Sequence, residues 1–198
     1  MRWGGQLSRV LRVLRARWVN ATRRRVSLGP GSQLKGRILH SGRGTVEIGD
    51  GARIGMGARP GNLIVAGAGR IVIGAGCKID AAEIHTLDAD ATITIGDGCY
   101  LNRVEMAAAE SITIGQRCEI GSAVIFDTDF HSVQRSPRGA VRTGPIVSGD
   151  DVWIASRTAI LRGVTVGSRS VIGMGVVVSH DVDPDTVVRP SQPRRDGR

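Results

Sequence analysis

The chain has 198 residues, 41% of them hydrophobic but only 3% aromatic, so any core must be built from Ile, Val, Leu and Ala. Its net charge of +9 is uneven: residues 1–46 hold 11 of the 27 basic residues and no acid, leaving 16 bases against 18 acids beyond them. Three cysteines without a CxxC spacing give no case for a disulfide framework or a zinc knot, and reduced thiols fit a cytoplasmic location.

Leu7, Val10, Leu11, Leu14 and Trp18 recur at helical spacing, with Arg9, Arg12, Arg15 and Arg17 largely on the other faces. This pattern predicts a basic amphipathic helix over residues 1–26. Arginine interrupts the apolar positions too often for a membrane span or for the apolar stretch of a secretory signal. Such a helix can lie on an anionic membrane surface or cover an open end of the domain that follows. No recognised nucleic-acid motif accompanies the arginines, so nucleic acid is not expected as a partner. Ser27-Leu28-Gly29-Pro30-Gly31 ends the helix, and residues 27–43 read as a linker or capping segment.

From residue 44 to 188 an aliphatic residue followed by a small or polar one recurs at Ile48-Gly49, Ile54-Gly55, Ile73-Gly74, Ile79-Asp80, Ile95-Gly96, Leu101-Asn102, Ile114-Gly115 and Ile120-Gly121. Further on, Ile154, Ile160, Val166, Ile172 and Val178 follow one another in steps of six. A six-residue period belongs to neither a helix nor an alternating strand; it predicts a parallel β-helix with aliphatic side chains inside and small residues at the corners. Starts at 48, 73, 95, 114, 148 and 166 give turns of 25, 22, 19, 34 and 18 residues, with Ser148 holding the register in place of an apolar residue. The longest turn contains an excursion over residues 127–145. Cys77, Cys99 and Cys118 share one register and read as a stacked core ladder, and residues 189–198 form a basic tail.

The excursion begins Asp127-Thr128-Asp129-Phe130-His131 and continues through Arg135, Arg138 and Arg142. Long interruptions of a regular core commonly carry function. A neutral imidazole removes a hydroxyl proton near neutral pH, which makes His131 the candidate general base. Asp127 or Asp129 is the candidate to hold its other ring nitrogen, and spacing does not choose between them.

The region from Ile114 to Val188, with the stretches IGQRCEIGSAVIFDTDFHS and PIVSGDDVWIASRTAILRGVTVGSRSVIGMGVVVSHDV, resembles the hexapeptide-repeat acyltransferases, in particular the maltose, galactoside and polysaccharide O-acetyltransferases. The resemblance implies an all-β fold with left-handed coiling, a homotrimer with sites between subunits, and acetyl-CoA as cosubstrate with no metal. His131 matches the family's catalytic histidine, which implies direct attack of an acceptor hydroxyl on the thioester. Asn102 matches an acceptor-binding asparagine, and Trp153 a tryptophan beside the thiol end of the coenzyme. Ala155, Ser156, Gly173, Met174, Ser179 and His180 match positions lining its arm and nucleotide, and Arg194 is a candidate for its phosphates. Departures are Ala155 for the usual glycine, Met174 for alanine, His180 for lysine, and an atypical turn after Val188.

These features imply an O-acetyltransferase acting on a saccharide or lipid-linked glycan precursor, with the basic helix at the inner face of the cell membrane. A zinc-dependent carbonic anhydrase on the same fold needs convergent histidines, and His40, His85, His131 and His180 show no His-x4-His spacing. A noncatalytic scaffold, or an amino-sugar or serine acyltransferase, would fit the same repeat.

Overall fold

A computed structural model describes residues 25–56, 63–131 and 141–190. These residues form a parallel β-helix in which each coil lays one strand or strand segment on each of three faces. On the first face, Val26–Leu28, Thr45–Ile48, Arg70–Ile73, Thr92–Ile95, Ser111–Ile114, Ile146–Ser148 and Thr165–Val166 stack as a seven-stranded parallel sheet. The other two faces belong to one 13-stranded sheet, because Lys78–Thr86 and Tyr100–Ala108 run round the corner between them.

The repeat starts expected from sequence are rungs of one ladder: Leu28, Ile48, Ile73, Ile95, Ile114, Ser148 and Val166 pair in succession. Leu34, Ile54, Ile79, Leu101, Ile120, Ile154, Ile172 and Val188 form the ladder of the second face. The third face stacks Ile84, Met106, Ile125, Ile160 and Val178. These ladders are the core, and each buried aliphatic side chain contributes about 1.5–3 kcal/mol. Ser148 is buried between Ile114 and Val166, where its hydroxyl lies 3.4 Å from the Gly149 carbonyl and also bonds with the Cys118 thiol.

Residues 27–43, read from sequence as a linker or cap, are part of the first coil. Val26–Leu28, Gln33–Leu34 and Ile38–Gly42 each pair with a strand of the second coil. The short strands and the turn at Pro30-Gly31 hide the six-residue period there. The expected N-terminal helix lies outside the described residues except at its end, where Val26 already opens a strand.

At the first corner, between the first and second faces, the chain turns through a left-handed residue in every coil. Gly31, Gly51, Gly76 and Gly98 take this position first, then Arg117, Asp151, Arg169 and Asp185, with φ between 55 and 74°. Side chains beyond glycine cost about 1–2 kcal/mol there. Two bidentate ion pairs offset part of that cost, Arg117 with Asp151 at 2.7 and 2.8 Å and Arg169 with Asp185 at 2.6 Å. Just inside the same corner, the thiols of Cys77, Cys99 and Cys118 donate to the carbonyls of Gly96, Gly115 and Gly149 at 3.1–3.2 Å. All three are free and buried, and hydrogen bonding with Cys99, together with burial, raises the Cys118 thiol well above its ordinary pKa. They are structural groups.

Among the described residues the last coil is short: Val187–Val188 pairs with Val171–Ile172, and Val182 bridges to Val166. Ile120 is fully buried between Leu101 and Ile154, so Ile120→Ala is expected to destabilise the fold by about 2–5 kcal/mol. Urea unfolding followed by circular dichroism checks this; an unchanged midpoint would contradict a close-packed interior.

Candidate functional site

The third corner joins the third face to the first, and the excursion leaves from it. After Val124–Phe126 the chain departs at Asp127 and rejoins before Ile146–Ser148. A short antiparallel neck closes its base: Thr128 bridges Thr143, the Asp129 amide donates to the Arg142 carbonyl at 3.1 Å, and the Gly144 amide to the Asp127 carbonyl at 2.9 Å.

Asp127 is completely buried, and its carboxylate accepts the amides of Ala109 and Glu110 at 2.7 Å each. The excursion carries the backbone away from these amides, and the side chain supplies acceptors instead. Burial raises the Asp127 pKa, opposed by the amide hydrogen bonds. Asp129 accepts from Arg162 at 2.8 Å and from Arg142 at 3.1 Å, and these partners, Arg162 first, hold its carboxyl below the ordinary range. Arg142 lies on the returning leg and Arg162 on the next coil, so Asp129 ties both legs of the neck to the body.

His131 stands at the outer end of this neck, exposed, with its amide donating to the Asp129 carbonyl at 2.6 Å. Among the described residues its ring makes no hydrogen bond with either aspartate named from sequence; both carboxylates are committed to other donors. Phe130, at φ 57°, packs edge-on against Phe126 with ring centroids 5.0 Å apart and turns the chain outward at His131. Arg162 is absent from the candidates that sequence supplied. Its signal was available: it stands two residues after the repeat position Ile160, directly beneath the neck.

Most of the remaining candidates lie elsewhere on the prism. Asn102, Ala155, Ser156, Gly173 and Met174 lie at the second corner, between the second and third faces. Asn102 pairs with Gly121 in the next coil, and Ala155 donates to the Ile172 carbonyl at 2.9 Å. A side chain on Gly173 would meet the Val188 carbonyl at 2.9 Å, so a small residue is required in this wall. Trp153 projects from the second face with 54% of its surface exposed, and Met174 is 59% exposed. Ser179 and His180 share the third corner with His131 but lie two coils further on, joined by a 3.0 Å contact between Ser179 Oγ and His180 Nδ1. Arg194 lies outside the described residues. One chain therefore brings Asp127, Asp129, His131, Ser179 and His180 to one edge and the other described candidates to a second edge or the face beside it. A face of four or five residues separates the two edges, about 15 Å.

Among the described residues no group of three or more His, Cys, Asp or Glu is placed to hold a metal ion, and no helix is long and apolar enough to cross a membrane.

A family described as hexapeptide repeat of succinyl-transferase matches residues 145–180. Galactoside O-acetyltransferase of Escherichia coli K12 is 36% identical over 98 residues, covering 48% of this chain and 48% of that protein. Chloramphenicol acetyltransferase of Agrobacterium fabrum is 30% identical over 100 residues, covering 40% and 48%. The chain thus spans about half the length of these curated relatives. The crystal structure of the polySia-specific acetyltransferase NeuO superposes with a TM-score of 0.62 at 20% identity over 88% of this chain and 85% of that one, a likeness of fold.

Asp129→Asn is expected to lower the melting temperature at pH 7 by weakening both arginine contacts. Because the folded-state pKa of Asp129 is depressed, its contribution is present above the unfolded carboxylate value of about 3.9 and is lost as pH falls through the folded value. Melting curves of the two proteins should therefore converge in acid; a constant gap down to pH 2 would rule out the ion-pair origin.

Proposed function

We propose that the chain is a hexapeptide-repeat acyltransferase, an O-acetyltransferase that moves an acetyl group from acetyl-CoA to a hydroxyl of a saccharide or glycan precursor. The observation that carries this reading is His131, exposed at the end of a neck pinned by Asp127 and Asp129. Galactoside and chloramphenicol acetyltransferases among the relatives support acetyl transfer to a hydroxyl and leave the acceptor open.

In this mechanism the neutral His131 imidazole takes the acceptor hydroxyl proton while the oxygen bonds to the thioester carbonyl carbon. The tetrahedral intermediate then expels the coenzyme thiolate, which recovers the proton from the imidazolium. The Ala155 and Gly173 amides are taken by hydrogen bonds between coils, so the developing oxyanion would be met by backbone amides near the site that the stack leaves free. Trp153, Ala155, Ser156, Gly173 and Met174 would line the donor, with Ser179, His180 and Arg194 toward its phosphates and Asn102 toward the acceptor. The exposed indole and thioether, beside a wall that needs glycine, fit a long, thin cosubstrate with an apolar arm.

The separation of His131 from the second corner supports a shared site in a homotrimer, in which the third corner of one subunit faces the second corner of its neighbour. The basic residues of the N-terminal arm support peripheral contact with an anionic membrane at the cytoplasmic side, where a lipid-linked acceptor would be presented.

His131→Ala should lose about 10²-fold or more in acetyl transfer and keep the far-ultraviolet spectrum of the parent, assayed with labelled acetyl-CoA against free, nucleotide-linked and lipid-linked sugars. Near-normal turnover would remove His131 from the mechanism. When His131→Ala is co-expressed with a second-corner variant such as Asn102→Ala/Met174→Glu, mixed oligomers should regain activity that neither parent has. Lack of rescue despite mixed assembly would argue for sites confined to one subunit. Deleting residues 1–24 should abolish flotation with phosphatidylserine vesicles, and equal recovery of both forms would sink the membrane role.

A further inference from the structure

Charged side chains are divided unequally among the edges of the prism. At the first corner Arg117 and Arg169 are each neutralised by an aspartate of the following coil. At the second corner Arg103, Arg157 and Arg189 are all exposed, and none has an ion pair or side-chain hydrogen bond among the described residues. The acid of that corner, Asp80, is engaged by the Tyr100 hydroxyl at 2.7 Å. Arg103 and Arg157 also sit at φ 57° and 61°, a conformation that Gly175 serves one coil beyond Arg157. No contact within the fold compensates for holding arginine in that conformation, and strain kept without a structural return points to a ligand.

The spacing of these arginines defines the ligand. Arg103, Arg157 and Arg189 follow the rungs Leu101, Ile154 and Val188, the fourth, sixth and eighth of the second-face ladder. Coils stack about 4.8 Å apart, so Arg103 and Arg157, which share the left-handed corner position, are about 9–10 Å apart, and Arg189 continues the row two coils further on in the adjacent column, stacked on Gly173. A small anion would be gripped by converging donors, whereas a row fits an extended chain. Nucleic acid carries a charge about every 3.4 Å per strand, far denser than this row.

We propose that the second corner is a track for an extended saccharide bearing repeated carboxylates, each guanidinium taking one of them in a charge-assisted, two-pronged bond. Arg103 directly follows Asn102 and Arg157 directly follows Ser156, so the track passes the edge assigned above to acceptor and donor. In its placement of the acceptor the proposal rests on the acetyltransferase reading. The phosphates of acetyl-CoA are a second source of negative charge at this edge, and the test separates them.

Binding of hexamers of galacturonic acid, of α2,8-linked sialic acid and of neutral glucose (maltohexaose) to the full-length chain is measured by calorimetry at two salt concentrations. At least one acidic hexamer should bind more tightly than maltohexaose. The variant Arg103→Gln/Arg157→Gln/Arg189→Gln should weaken that binding about tenfold or more and flatten its salt dependence. The charge-matched Arg70→Gln/Arg117→Gln/Arg169→Gln should stay within about twofold of the parent, since these arginines already have partners. Equal loss in both variants, or no preference for acid over neutral hexamers, overturns the proposal. So does tighter, arginine-dependent binding of a single-stranded oligonucleotide, or an effect confined to the KM for acetyl-CoA. Binding is read without turnover, so absence of acetyl transfer would sink the enzymatic reading and leave the track standing.

Discussion

Hydrogen bonding between coils fixes their separation at about 4.8 Å, and every residue is thereby constrained by those stacked above and below it. A side chain that suits one coil must suit its neighbours, which is why the interior consists of aliphatic ladders rather than scattered large residues. The same constraint explains the polar ladders at the first corner. Each cysteine thiol reaches a glycine carbonyl of the following coil, while Asp97, Asp150 and Ser168 accept amides from the coil before them at 2.7–3.1 Å. Adding a Cβ at Gly115 would place it 2.4 Å from the Gly149 carbonyl, so the corner is as tightly specified as the core.

An excursion from such a stack must begin and end on the same rung, and its departure leaves backbone donors of the preceding coil without their usual acceptor. Asp127 answers this with a buried carboxylate, and Asp129 adds a tie to the following coil through Arg162. The exposed histidine is therefore carried on a base held from both sides of the stack. Precision at the tip of the neck comes from satisfying the backbone beneath it rather than from any contact to the imidazole itself.

Much of this was legible in the sequence because interior positions must repeat: the starts at 48, 73, 95, 114, 148 and 166 are successive rungs, even where serine replaces isoleucine. The first coil was not legible, since its two-residue strand and Pro30-Gly31 turn leave too little period to see. Nor were the partners of Asp127 and Asp129. Ala109, Glu110 and Arg162 are neighbours only through stacking, at separations of 17 to 33 residues that no local spacing rule covers. The division of candidate residues between two edges also needed the coil geometry, because family likeness assigns positions without saying which lie on one subunit.

The final coil has a consequence for assembly. A parallel β-helix ends in a rung whose amides and carbonyls are free to template another chain, the geometry from which fibres grow. Here the terminal strand Val187–Val188 has only two residues, with Pro184 three positions before it and Pro190 two positions after it. Proline offers no amide to an incoming strand, and its fixed φ breaks the flat edge such a strand would need. At this rung the two prolines therefore disfavour the addition of a further parallel strand.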